Sequence, residues 1–161
     1  MNESIAKFLK EQTCVSICCV DELGKPYCFT CFYAFDKVEN LLHFKSSAES
    51  YHSVLLSKNP LVAGTVLPDK LNKLIIKGVQ LEGVLLNSKH PFTNHASAYY
   101  HKKHPMALAM SGEIWTIQIN SIKMTDSTLG FGKKILWDRK TEKESDGNQS
   151  VLNLNNQYDK N

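Results

Sequence analysis

Between Phe44 and Pro60 the chain reads Phe-Lys-Ser-Ser-Ala-Glu-Ser-Tyr-His-Ser-Val-Leu-Leu-Ser-Lys-Asn-Pro, crowding the hydroxyls of Ser46, Ser47, Ser50 and Tyr51 and the imidazole of His52 into one short stretch. Each of these groups can donate a hydrogen bond to an anionic oxygen. The stretch reads as the end of a strand entering the first turn of a helix. Backbone N–H groups there lack intrahelical partners and the macrodipole adds partial positive charge, so the chemistry it suits is holding a phosphate. The plain alternative is an ordinary helix cap, for which Ser is a common residue.

Other reactive residues form weaker patterns. Cys28-Phe-Thr-Cys31 has the spacing of a redox or zinc pair, but the flanking residues read as a strand, on which i and i+3 face opposite sides. His90, His95, His101 and His104 cluster without a His-Glu-x-x-His signature and read as exposed histidines beside Lys102 and Lys103, with no metal site. No nucleophile elbow, Walker loop or dinucleotide fingerprint occurs. Gly130-Phe131-Gly132-Lys133 is either a simple turn or a loop in which Lys133 touches a ligand.

Positioning these groups falls to a series of short elements. Ile5, Phe8 and Leu9 recur at helical spacing, predicting an amphipathic helix from Ser4 to Gln12 capped by Asn2 or Ser4. Strands are predicted over Thr13 to Val20 and Tyr27 to Phe35, joined by a turn around Gly24-Lys25-Pro26. The second is apolar on both faces and should be covered on both sides, by the interior of a barrel and by a partner subunit, a helix or a ligand. Leu41 to Lys45 is a strand leading into a helix from Ala48 to Lys58, with Tyr51, Val54 and Leu55 facing inward and an end set by Asn59-Pro60. Leu61 to Leu67 reads as a strand, and Leu71 to Leu86 as a long one bent at Gly78 or Gly83. Ala96, Tyr99 and Tyr100 mark a helix broken at His104-Pro105. Trp115, Ile117 and Ile119 alternate with polar residues, and the parity flips before Ile122, which requires a bulge or bend near Asn120-Ser121. A last strand covers Lys133 to Trp137. Such a succession describes a small, mostly antiparallel barrel in one domain over 1–140, with a polar tail at 141–161 expected to be disordered.

The composition narrows the classes. With 42% apolar residues the chain supports a core, and a net charge of +3 spread along the sequence leaves no footprint for nucleic acid. No apolar run is long enough to span a bilayer and the first residues lack the pattern of a signal peptide, so the expectation is the cytoplasm, no membrane association, and reduced forms of Cys14, Cys18, Cys19, Cys28 and Cys31.

The order of these segments carries a resemblance. Gly24-Lys25-Pro26 between two strands, Phe44-x-Ser46-x-x-x-Ser50-Tyr51-His52 and Leu56-x-x-Asn59-Pro60-x-Val62 resemble the FMN-binding split barrels of the pyridoxamine 5′-phosphate oxidase-like superfamily. Val62-Ala-Gly-Thr-Val, Ile76-Lys-Gly-Val-Gln-Leu-Glu-Gly83 and Thr128-Leu-Gly-Phe-Gly-Lys-Lys-Ile-Leu-Trp137 resemble its YhbP-like group of small bacterial proteins. The resemblance covers Ile5 to Trp137. It implies a mainly β fold, a six-stranded antiparallel split barrel with a few short flanking helices. It also implies a homodimer holding FMN in two clefts at the subunit interface, and an oxidoreductase with no catalytic residue that can be named. Ser46 and Ser50 would meet the phosphate, beside Tyr51 and His52. The backbone from Cys31 through Phe32 to Tyr33 would line the isoalloxazine edge, with Lys77 and Gln80 approaching from a neighbouring strand. Thr30 and Phe35 stand where the oxidases carry Arg and Lys. A different class of function on the same barrel is haem or flavin binding without turnover, with His52 or a histidine in the Phe92 to His104 region as haem ligand. A third is a ligand-free dimer acting through its surface.

Overall fold

The computed structural model describes residues 1–130 and 133–142. Helix α1 (Glu3–Glu11) starts where the Asn2 side chain accepts from the Ser4 N–H, and it buries Ile5, Ala6, Phe8 and Leu9 against the barrel. Strands β1 (Cys14–Val20) and β2 (Pro26–Asp36) form a hairpin pairing Cys14 with Phe32 through Val20 with Pro26. Its turn is held by the Asp21 carboxylate, which accepts from the N–H groups of Leu23 and Lys25, and Gly24 takes φ +80° there, a conformation that costs glycine little.

Strand β3 (Leu41–Ser46) pairs with β2. Helix α2 (Tyr51–Lys58) then leads to β4 (Leu61–Val66) and β5 (Lys77–Leu85), and α3 (Ala96–Lys103) precedes β6 (Glu113–Asp126) and β7 (Lys134–Asp138). Short 3₁₀ turns lie at Pro91–Thr93, Pro105–Ala109 and Ser127–Leu129. The strand order is β3-β2-β1-β4-β5-β6-β7, and β3 also pairs with β6, so six antiparallel strands close on themselves and β7 extends the sheet. This is the expected split barrel. Val15, Ile17, Leu42, Phe44, Val79, Leu81, Ile117 and Met124 fill its interior.

The bulge expected near Asn120 is present: Glu82 pairs with Ser121 but Gly83 with Ile119, leaving Asn120 as the extra residue. Gly83 is required at this bend, because a Cβ there would stand 2.6 Å from the Gln118 carbonyl oxygen and 2.8 Å from an Ile117 methyl.

Three expectations are corrected. The strand expected from Leu71 begins only at Lys77, because the Asn72 side chain accepts from the Leu74 N–H and makes a turn, leaving Leu71, Leu74 and Ile76 exposed. The helix expected from Ala48 begins at Tyr51, since Ser50 caps it, and the shift in phase buries Ser53, Leu55 and Leu56 while Tyr51 and Val54 face solvent. Cys18 and Cys28, expected reduced, are joined in a disulfide: they are direct partners in the β1–β2 register, with Cα atoms 4.2 Å apart, a neighbourhood their sequence spacing does not reveal. Cys14, Cys19 and Cys31 are free thiols. Of the tail expected from 141, Thr141 and Glu142 stand in a helical turn and the remainder lies outside the described residues.

Candidate functional site

Strands β2 and β3 pair only from Tyr33 opposite Phe44 to Asp36 opposite Leu41. Before Tyr33, β2 has β1 on one side and, among the described residues, no strand on the other, while β3 runs on through Lys45 and Ser46 beside β6. The barrel wall is therefore split between the Cys31–Phe32 lip and the Lys45–Ser46 lip. Side chains of alternating parity from each lip face opposite sides of the wall.

On the inner side lies the hydroxyl and imidazole cluster. Ser46 Oγ is 2.6 Å and Ser50 Oγ 3.0 Å from His52 Nε2, and the two hydroxyls are 3.2 Å apart. Ser50 is the N-cap of α2, accepting from the Ser53 N–H, and the Ser53 hydroxyl donates to the Ser47 carbonyl at 2.8 Å. His52 stacks on Phe29 with ring centroids 3.8 Å apart, and Phe29 leans on Phe44, which stacks on Trp115. Burial lowers the His52 pKa, so the ring is neutral at pH 7 and the cluster offers hydrogen bonds without a charge. Tyr51 points away, its ring edge-on to Tyr27 at 5.0 Å.

On the outer side is a pocket of about 540 Å³. Thr30, Cys31 and Phe32 form one wall; Tyr100, Lys103 and His104 from the end of α3, with Met106 and Met110, form the other. The Lys45 ammonium donates to the carbonyls of Ala107 at 2.7 Å and Met110 at 2.6 Å, fastening the 3₁₀ segment over the split. His104 Nε2 donates to the Tyr33 carbonyl at 2.8 Å, which fixes a proton on that nitrogen. Lys103 lies 4.6 Å from the Tyr33 ring centroid and donates to the Gln12 carbonyl; burial pulls its pKa down. Burial pushes the Cys31 thiol up to about 12, with nearby Cys14 adding to the effect, so it stays protonated.

The remaining residues expected at the site are placed apart. The Tyr33 side chain is fully buried with its hydroxyl donating to the Leu9 carbonyl at 2.7 Å, and its backbone N–H and carbonyl are taken by Thr13 and His104. Lys77 pairs with Asp126 at 2.9 Å beneath α1, 5.7 Å from the Phe8 ring. Gln80 faces outward into a second groove of about 890 Å³. Both lie on β5, which stands across the six-stranded ring from β2. Lys133 is exposed beyond Gly130; its neighbours Phe131 and Gly132 lie outside the described residues. Within one chain, then, Cys31, Phe32, Ser46, Ser50 and His52 gather at the split, and Lys77, Gln80 and Lys133 do not. Sequence reasoning missed Lys45, Tyr100, Lys103, Met106 and Met110, and it placed His104 only in a histidine cluster read as exposed and in the region that could supply a haem ligand. They converge only because α3 folds back over β2 and β3, and the one local signal was the break at His104-Pro105. Among the described residues no group of three or more His, Cys, Asp or Glu side chains is placed to hold a metal ion, and no helix is long and apolar enough to cross a membrane.

No family model matches the chain. A UPF0306 protein of Photorhabdus laumondii is 34% identical over 135 residues, covering 84% of this chain and 94% of that protein. The UPF0306 protein YhbP of Escherichia fergusonii is 31% identical over 141 residues, covering 88% and 95%. Among solved structures, a haem-binding protein from Mycobacterium smegmatis shares the fold with TM-score 0.69 at 12% identity, over 86% of this chain and 59% of that one. A pyridoxamine 5′-phosphate oxidase-related, FMN-binding protein from Nostoc punctiforme does so with TM-score 0.60 at 14% identity, over 84% and 88%.

Proposed function

This chain belongs to the UPF0306 (YhbP) family, and on that premise we propose that it is an FMN-binding flavoprotein, a cytoplasmic oxidoreductase of the pyridoxamine 5′-phosphate oxidase-like type working as a homodimer. The observation that carries the reading is the split, which has a cluster of phosphate-compatible donors on the inner side of its lips and a pocket of ring-binding size on the outer side. A volume of about 540 Å³ falls in the usual range for small-molecule sites. The donors fit the group: Ser46, Ser50 and His52 sit 2.6 to 3.2 Å from one another at the start of α2 and can turn together toward one anion. Their grip rests on hydrogen bonds, since His52 is neutral and the Lys45 ammonium is spent on the 3₁₀ carbonyls.

Bound FMN would supply a two-electron redox centre, for which the barrel provides position and surroundings. Phe32, 58% exposed on the lip, offers an apolar platform, and the protonated Cys31 thiol keeps that wall uncharged. Lys45 and His104 hold the opposite wall in place. In this reading Lys77 and Gln80, which stand on the far strand β5, would come to the cleft from the second copy.

Titration of the purified chain with FMN should quench flavin fluorescence and raise the melting temperature. The Ser46→Ala, Ser50→Ala double variant removes two hydrogen bonds to a charged group, about 1.5–3 kcal/mol each, and should weaken FMN roughly 100-fold or more. A colourless protein that gains neither yellow absorbance nor stability with FMN would sink the reading.

One observation favours haem as a second reading. His104 lines an apolar pocket with Met106 and Met110, and its Nε2–H is held by a backbone carbonyl, the arrangement that orients a metal-ligating histidine. A Soret band on reconstitution that is lost in His104→Ala would replace the flavin reading with this one.

A further inference from the structure

His52 stands in the donor cluster without a cation to share its task. Its Nε2 is within hydrogen-bonding distance of the Ser46 and Ser50 hydroxyls, at 2.6 and 3.0 Å, and stacking on Phe29 at 3.8 Å fixes the plane of the ring. The groups around it supply no positive charge to the cluster. On its own helix Tyr51 is edge-on to Tyr27 of β2, and Lys58, at the far end, pairs with Glu22 at 3.4 Å. Lys45 of β3 donates to the Ala107 and Met110 carbonyls, and Cys19 of β1 donates to the Tyr27 carbonyl. Glu49, just before the helix, and Glu113, opposite Ser46 on β6, are exposed carboxylates. A phosphate carrying close to two negative charges at pH 7 therefore meets hydroxyls, backbone N–H groups and a neutral ring. An opposite charge within about 4–6 Å favours the charged form of an imidazole. His52 is the one member of the cluster that can gain a positive charge near neutral pH, because serine hydroxyls do not titrate there. Burial of the empty ring opposes its protonation, and a phosphate seated against Nε2 offsets that opposition.

We propose that a phosphate-bearing ligand enters this site together with one proton, which His52 takes from solvent, the imidazolium Nε2–H then donating to a phosphate oxygen. The proposal rests on the reading of this cluster as the phosphate end of the FMN cleft. In the empty site Nε2 faces the two serines; in the loaded site the imidazolium and the Ser46 and Ser50 hydroxyls donate to the anion together. The positive charge is created only when the ligand is present, so the empty cluster needs no counter-ion. Because the loaded site holds more protons than the empty one, affinity rises as the pH falls through the midpoint of the loaded site and levels off below that of the empty one. A ligand without the phosphate shows no such dependence.

The affinities of the full-length protein and of His52→Gln for FMN and for riboflavin are measured by flavin fluorescence at pH 6.5, 7.5 and 8.5, a range in which the phosphate stays mostly dianionic. FMN should bind the wild type roughly tenfold more tightly at pH 6.5 than at pH 8.5, riboflavin equally at all three, and His52→Gln should flatten the FMN profile. Calorimetry of FMN binding in two buffers of different ionisation enthalpy should register proton uptake that the variant loses. Inorganic phosphate alone should raise the His52 midpoint in an NMR titration of the wild type, a readout independent of both flavin and the variant. Failure to bind either flavin, with the His52 midpoint still raised by phosphate, would remove the flavin reading and leave the proton-coupled phosphate site standing. FMN binding with a profile as flat as that of riboflavin would overturn the proposal and leave the flavin reading intact. A His52 midpoint that phosphate leaves in place would overturn it as well.

Discussion

Mild acid should destabilise this protein through one buried imidazole, His43. It is 1% exposed on β3, its Nδ1 lies 3.0 Å from the Thr116 hydroxyl, and the Tyr99 ring of α3 covers it with centroids 5.9 Å apart. Burial lowers its pKa from 6.5 to about 4, against a smaller opposing pull from Asp36. The unfolded chain therefore binds a proton at pH 5.5 that the folded chain refuses. Stability is full above pH 6.5, falls as the pH drops, and levels off below about 4. A displacement of that size corresponds to about 3 kcal/mol in total, of which about 1 kcal/mol is lost by pH 5.5. Carboxylates add their own loss at the acid end, so the decisive quantity is the difference between wild type and His43→Gln, which keeps a polar partner for Thr116 and cannot titrate. Urea unfolding at pH 7.5, 6.5, 5.5 and 4.5 should give a steeper decline for the wild type than for the variant, whatever the variant's starting stability. Equal slopes, or an NMR titration placing His43 near 6.5, would refute the argument.

Two further outcomes follow from contacts described above. Gly83→Ala forces a Cβ to within 2.6 Å of the Gln118 carbonyl oxygen at the β5–β6 bulge and should cost about 1–3 kcal/mol; a melting temperature unchanged within a degree would show that the bend relaxes freely. Lys45→Met frees the carbonyls of Ala107 and Met110, so limited proteolysis should cut near Met106 to Met110 at least severalfold faster than in wild type, and an unchanged cleavage pattern would mean that the segment is held by its packing alone.

Much of the fold was legible because its signals are local. Asn2 and Ser50 cap their helices through their own side chains, Gly24 marks a turn by its positive φ, and the change of parity between Ile119 and Ile122 records a bulge that the backbone does contain at Asn120. The donors Ser46, Ser50 and His52 were legible for the same reason, since six consecutive positions after Ser46 fold into one turn and bring them within hydrogen-bond reach. Local signals also misled. Leu71 to Ile76 reads as an apolar strand, yet a single Asn72 side chain turns the backbone before pairing can begin. Period alone could not fix which face of α2 is buried, because the start set by Ser50 decides the phase.

What the sequence by itself determined is the inventory of strands, their bends and the donor cluster, all written in neighbours along the chain. Only the tertiary structure decided that β3 closes the barrel on β6, that β2 and β3 part beyond Tyr33 and Phe44, that α3 returns Lys103 and His104 to the split, and that Cys18 lies opposite Cys28. Those features depend on pairing register and on contacts between segments far apart in the chain. Such contacts form when the whole apolar interior is buried at once, and the spacing of residues along one segment carries no record of them.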